Sequence, residues 1–323
     1  MAVPLLIVWR LDHLDWTLFV AFGAFTAVYG RHQTYRDRAR MQLGAGLAIV
    51  ASITLGTAVG TVAPGSFLAV AAMMLVSAAG YLLSRKNGWL PVGSIFVVFA
   101  VGATSAFAQP ISSIPVAFIL CALSMLFAVG LGQAGRLFPA GREAPKAPAP
   151  RALSWTALFA DHRVRVDLVR FAAGPLIAGS IATLLGIGHP YWAAVSATVP
   201  LSGSTARAQL VRAVHRFSGT LVGVVIALAV LSTQPTHGVM IAIVIALQGV
   251  VELFVLRNYG VAVIALTPLA LILSHIASPV AIPQLAGDRA LETTIGVAVA
   301  VAVTVASEPW RRADRARVKR SGE

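Results

Sequence analysis

Apolar residues run along this chain in long blocks, broken by short clusters of arginine, glycine and proline. A helix needs about 20 apolar residues to cross the hydrocarbon core of a bilayer. Eleven blocks come near that length: 15–30, 41–62, 66–84, 90–108, 113–135, 168–188, 190–206, 216–232, 237–256, 259–276 and 290–307. The pattern predicts an all-α polytopic membrane protein with about 11 transmembrane helices. Blocks 15–30 and 190–206 are short, and each ends in basic residues. Residues 1–11 are apolar but too short to cross, and are expected to form a partial, re-entrant or truncated first helix.

One pattern occurs twice. Arg31, Gln33, Arg36 and Arg40 form R-x-Q-x-x-R-x-x-x-R, and Arg207, Gln209, Arg212 and Arg216 repeat it 176 residues later. Trp16 and Trp192 share that separation. Asn87 follows Arg85 and Lys86 much as Asn258 follows Arg257. The chain therefore divides into a first transmembrane half (1–135), a linker (136–167), a second half (168–307) and a basic tail (308–323). Such doubled membrane halves are known mainly from transporters and channels. Within the linker, 138–151 is rich in Pro and Ala and reads as a disordered tether. Residues 153–171 read as an interfacial helix that turns into the sixth span.

Composition sharpens the membrane assignment. The chain is 58% hydrophobic and 11% charged, with mean hydropathy +0.82. If the first basic motif is placed in the cytoplasm, 23 of the 25 Lys and Arg residues fall on that side, all but Arg10 and Arg289. This is a strong positive-inside bias. The net charge of +13 thus reflects topology and attraction to anionic lipid rather than nucleic acid. A bacterial plasma (inner) membrane is expected, with the basic loops and C-terminus cytoplasmic and the N-terminus outside. Both motif copies then emerge on one side, so the halves are expected to be parallel and related by a pseudo-two-fold axis along the membrane normal.

The chemistry of the repeated motif points to anions. On a helix Arg36 and Arg40 are i,i+4 neighbours, as are Arg212 and Arg216. Guanidinium groups hold carboxylates in a fork, and glutamine adds donors. Two such faces meeting at an axis would form a cationic vestibule. The alternative is a pair of positive-inside signals touching lipid head groups, and both readings stand.

A second constellation is Glu252, Arg257, Asn258 and Tyr259, with Thr267 and Pro268 further on. A carboxylate at membrane depth is costly unless paired, protonated or functional. Arg257 is its expected partner, and a proton-coupling role is the functional alternative. Pro268 removes a backbone hydrogen bond within its span. His189 and His215 are proton-shuttle candidates, with an ordinary interfacial or polar-packing role as the first reading of each, and the same holds for His275. Glu292 is expected to cap a helix start, and Gly56/Gly60 and Gly219/Gly223 to let helices approach closely. The tail from Arg311 reads as a lipid-surface anchor. Cys121 is the single cysteine, inside an apolar block. No metal-ligand spacing, cofactor-binding motif or enzyme signature is present, so neither metal nor cofactor is expected, and no enzymatic activity.

The segment 170–223 resembles the membrane module of the fusaric acid resistance family, which includes the aromatic acid exporters. The resemblance rests on His189, Pro190, Tyr191 and Trp192, then Arg212 to Arg216, then Gly219, Thr220 and Gly223. Glu252, Arg257, Asn258, Tyr259, Thr267 and Pro268 match a second recurring element. It is good over 168–307 and weaker over 15–135. The chain looks like a compact form without the family's large cytoplasmic domains. The resemblance implies export of aromatic carboxylates and related compounds. Plant aluminium-activated malate transporters, which are anion channels, look distantly similar, and in them two six-span subunits pair.

The expectation is a transporter of small organic anions. Arg31, Gln33, Arg36, Arg40, Arg207, Gln209, Arg212 and Arg216 would attract the carboxylate, and Trp192 and Tyr259 would contact a ring. Glu252 would link transport to protons. The alternatives are a passive anion channel, and a scaffold recruiting partners or anionic lipid; an oligomer is compatible with each.

Overall fold

The computed structural model describes residues 1–138, 147, 150, 152–255, 257–277 and 281–321, with side chains placed for all of these except 277 and 312–321. It holds thirteen α-helices and no strand among the described residues. In chain order they are α1 (Ala2–Arg10), α2 (Thr17–Ala24), α3 (Tyr35–Val62), α4 (Phe67–Asn87), α5 (Ile95–Ser105), α6 (Ser113–Gln133), α7 (Trp155–Ala160), α8 (His162–Leu184), α9 (Tyr191–Leu201), α10 (Ala206–Ser232), α11 (His237–Phe254), α12 (Tyr259–Ala277) and α13 (Ile282–Ser321). Eight are long and apolar enough to cross a membrane: α3, α4, α6, α8, α10, α11, α12 and α13. The protein is an all-helical membrane protein. Apolar side chains such as Phe118, Leu123 and Phe127 on α6, and Leu47 and Leu55 on α3, face outward, as a lipid-facing surface requires.

Eight long helices stand where eleven apolar blocks were expected, because three blocks form short helices. Block 15–30 becomes α2 between two 3-10 turns (Leu14–Trp16 and Phe25–Val28). Block 90–108 becomes α5, which starts only after Pro91 and Gly93, the latter at φ 121°. Block 190–206 becomes α9, which follows Pro190 and ends near Pro200. Eleven helical residues rise only about 16 Å, half of the hydrocarbon core. Such interrupted backbone is tolerated at membrane depth where protein surrounds it. The burial agrees: every residue of α2 and of α9 is buried.

The packing partners recur along the chain. In the first half α3 lies against α5 and α6, α4 against α5, and α2 against α6. In the second half α10 lies against α12 and α13, α11 against α12, and α9 against α13. Glycines set the closest of these contacts. A side chain at Gly56 would strike Thr104 and the Val101 carbonyl on α5. One at Gly223 would meet Thr267 Cβ at 2.6 Å and the Ile264 carbonyl at 2.9 Å on α12. That carbonyl is the one Pro268 cannot hydrogen-bond. The halves join through α4 with α8, α5 with α9, α2 with α12, and α1 with α11. Tyr81 and Phe171 stack across the first of these seams with ring centroids 4.6 Å apart.

Several local expectations change. The expected interfacial helix is a separate element, α7. Asp161 ends it and then caps α8, its carboxylate accepting from the Arg163 N–H at 2.8 Å. The last helix starts at Ile282 rather than near 290. Arg311 is not a surface anchor: it is buried and donates to the Ser204 carbonyl at 3.2 Å. Most of the expected tether 138–151, and the side chains of the tail beyond Arg311, lie outside the described residues.

Candidate functional site

The three short helices leave a cavity of about 340 Å³ at the end of the bundle that carries the basic motif. Phe25 and Val28 line it at the end of α2, Pro91, Val92, Ile95 and Phe96 at the start of α5, and Val199, Ser202 and Ser204 at the end of α9. Arg212 of α10, Val251, Glu252 and Val255 at the end of α11, and Tyr259, Ala262, Val263 and Leu266 of α12 complete the wall. The space lies between the halves and is at the small end of ligand pockets. Its lining is mostly apolar, with one guanidinium, one carboxylate, one phenol and two serine hydroxyls. The helices α5 and α12 both begin at the cavity, so their N-terminal dipoles add positive potential there. Asn258 caps α12, its Oδ1 accepting from the Val261 N–H at 3.3 Å.

Glu252 pairs with Arg31 and not with the expected Arg257. Arg31 Nη2 lies 2.9 Å from the Glu252 carboxylate, and Nη1 donates to the Glu252 backbone carbonyl at 2.8 Å. Gln248 Nε2 donates to the other carboxylate oxygen at 3.1 Å. Arg257 lies beyond the end of α11 and is exposed, because the helix stops at Phe254 and the turn carries the next side chains away.

The two motif copies have the same spacing but different faces. Thr34 caps α3, accepting from the Asp37 N–H at 3.2 Å, so Arg31 and Gln33 precede the helix. All four residues of the second copy lie on α10. As a result Arg36, Arg40 and Arg207 are exposed, whereas Arg212 is half-buried and Arg216 fully buried. Arg212 donates to Ser202 Oγ at 2.6 Å and stands over the Tyr259 ring at 5.9 Å. Arg216 Nε and Nη2 share Ser196 Oγ at 3.3 and 3.2 Å.

Gln209 serves as a clip. Its amide donates to the Leu201 and Gly203 carbonyls at the end of α9, and its Oε1 accepts from Arg170 and Thr304. Gln33 is also buried. His215 packs beside Gly260. Arg31, Arg212, Glu252 and Tyr259 thus meet around the cavity. Trp192 and His189 sit elsewhere, stacked on each other at 4.6 Å near the start of α9.

Two charged residues of the last helix lie elsewhere than expected. Arg289 and Glu292 are both fully buried on α13. The Arg289 guanidinium lies 4.8 Å above the Trp192 ring. Glu292 is not a first-turn cap; its Oε1 accepts the His189 N–H at 3.0 Å. Asp288 Oδ2 approaches His189 Nδ1 at 3.5 Å. Burial lowers the pKa of His189, in the connection between α8 and α9, and Asp288 opposes that shift. Arg170 is buried too, held by Asp167 at 2.7 Å. The available signal for Arg289 and Glu292 was the apolar stretch 281–287, which continues the helix ahead of them.

The helices and this cavity define a polytopic membrane protein. Residues 177–303 match the family described as fusaric acid resistance protein-like. Arg212, Arg216, Glu252, Tyr259 and Arg289 fall inside the matched segment, and Arg31 and the α2 and α5 walls fall outside it. A curated relative, "Uncharacterized membrane protein YvaC" of Bacillus subtilis (strain 168), is 35% identical over 125 residues, which is 38% of this chain. The matched region spans only 19% of that relative's length. No solved structure matches.

Proposed function

We propose that the protein is a transporter that exports small organic anions, aromatic carboxylates in particular, from the cytoplasm. The observation that carries this reading is the cavity between the halves, with Arg212 and Tyr259 in an otherwise largely apolar wall. Such a wall suits a flat apolar ring, and the guanidinium suits its carboxylate. The match to the fusaric acid resistance-like family supports it. The recurring helix pairings support parallel halves around the cavity, with the basic end cytoplasmic. In this reading Arg31 and Glu252 bridge the halves beside the substrate, and Glu252 is the group that couples transport to protons once Arg31 releases it.

The test is efflux of labelled benzoate from liposomes holding the purified protein, with and without an imposed pH gradient. Uphill, gradient-dependent efflux that is lost in Arg212→Gln is the expected result. Downhill flux indifferent to the gradient and to Glu252→Gln would replace the exporter with a passive channel. Absence of flux from folded protein, for benzoate and malate alike, would reject transport of organic anions.

A further inference from the structure

Deeper in the bundle than the cavity, two buried guanidinium groups face one helix, neither of them in an ion pair among the described residues. Arg216 reaches α9 at Ser196, and Arg289 covers α9 at Trp192. Ser196 and Trp192 are four residues apart, so they lie on one face of α9, about 6 Å apart along its axis. The two cations come from different helices, α10 and α13, and are within electrostatic reach of each other.

Neither has an ion-pair partner among the described residues. Arg289 is 1% exposed, and its Nε and Nη1 have no hydrogen-bond partner. Arg216, also 1% exposed, has one shared hydroxyl. Glu292 sits one turn from Arg289, but one of its oxygens is held by the His189 N–H. Asp288, next to Arg289 in the chain, faces His189 Nδ1 at 3.5 Å instead, so neither carboxylate lies within ion-pair distance of either guanidinium. A buried charge without such a contact is costly, and an anion entering between the two would relieve it. Two further donors stand around the pair. Trp192 Nε1 lies beside Tyr191 and the Tyr259 hydroxyl beside Arg216, and neither makes a well-formed hydrogen bond. Tyr259 also lines the cavity and lies under Arg212, which connects the two places.

We infer that Arg216 and Arg289 form a second binding site, inside the bundle, for the carboxylate of a small organic anion. A carboxylate seated between guanidinium groups that reach α9 one turn apart on the same face accepts from both. The indole N–H and phenol O–H are the additional donors. Arg212 then receives the anion from the cytoplasmic side, and the Arg216–Arg289 site takes it in the membrane interior. This deepens the transport reading and rests on it for the identity of the ligand class.

The test is the thermal unfolding midpoint of the full chain in detergent, titrated with benzoate at constant ionic strength. An anion that binds only the folded protein raises the midpoint. The wild type should show a saturable rise. Arg289→Gln should weaken the apparent affinity at least tenfold. Without benzoate it should unfold no lower than the wild type, since it no longer buries an unpaired charge. Trp192→Phe keeps the ring and both arginines, and should weaken binding two- to fivefold. An unchanged benzoate response in Arg289→Gln, or a lowered midpoint with an unchanged response, would make Arg289 structural and overturn the site. Should that variant fail to fold, an unchanged response in Trp192→Phe overturns it. An equal rise with chloride would overturn the carboxylate assignment. No benzoate shift in a wild type that still exports benzoate would remove this site and leave transport standing. A shift without efflux would do the reverse.

Discussion

Arg31 and Glu252 are 221 positions apart and touch twice, through the carboxylate at 2.9 Å and the backbone carbonyl at 2.8 Å. Arg31 comes from the connection between α2 and α3, and Glu252 from the last turn of α11. The pair therefore straps the two halves together beside the cavity.

That strap should be detectable as coupling. Arg31→Gln and Glu252→Gln should each lower the unfolding midpoint, and the double variant should be no less stable than the worse single one. A double-mutant cycle measures this. Because both side chains are partly exposed, the coupling should be modest, about 0.2–1 kcal/mol. Strictly additive effects would mean that the strap holds nothing.

Arg212 should govern substrate affinity and the outward arginines should not. A charge-assisted hydrogen bond contributes about 1.5–3 kcal/mol, so Arg212→Gln should raise the KM for benzoate efflux roughly ten- to a hundredfold. Arg36→Gln, Arg40→Gln and Arg207→Gln should each stay within about twofold. Initial efflux rates across a concentration series decide it.

Two glycines on apolar helices should respond in opposite ways. Gly223→Val drives a side chain into Thr267 and the Ile264 carbonyl. Overpacking of this kind costs about 1–3 kcal/mol. Gly130→Ala meets nothing within 4 Å and removes a poor helix former, so it should be neutral or stabilising. Unfolding midpoints of the two purified variants compare them directly.

Arg170 should matter for folding rather than for flux. It links Asp167, Gln209 and Thr304, and so ties α8 to α10 and α13. Arg170→Met leaves these groups without their partner. Breaking a buried pair in this way costs about 3–5 kcal/mol, so the variant should accumulate poorly in membranes. Any protein that does fold should export benzoate at a near-normal rate per molecule.

The apolar blocks revealed the membrane class and the approximate place of every long helix, because length and hydropathy alone decide what can cross a bilayer. They marked 15–30 and 190–206 as short, but not that these and 90–108 shrink to helices of 8 to 11 residues. Proline and glycine at their ends decide that, together with neighbours that replace lipid. The repeat in sequence also concealed a difference in geometry. Thr34 starts α3 after Arg31 and Gln33, so matched arginines at 40 and 216 end up exposed and buried respectively. Glu252 found its partner in the other half of the chain, where local spacing carries no information. A helix boundary placed eight residues too late made Glu292 look like a first-turn cap and left Arg289 outside the span.

The short helices have an electrical consequence. If the cavity communicates with the cytoplasm, the insulating layer beyond it is about 16 Å thick, the rise of α9, rather than the full 30 Å or so of the bilayer core. The membrane voltage then drops over half the usual distance, across the layer that holds Arg216 and Arg289. A cell interior that is negative by 100 mV contributes about 2.3 kcal/mol to the outward movement of each monovalent anion. In the proposed export, the membrane potential would then be concentrated where the outgoing anion crosses.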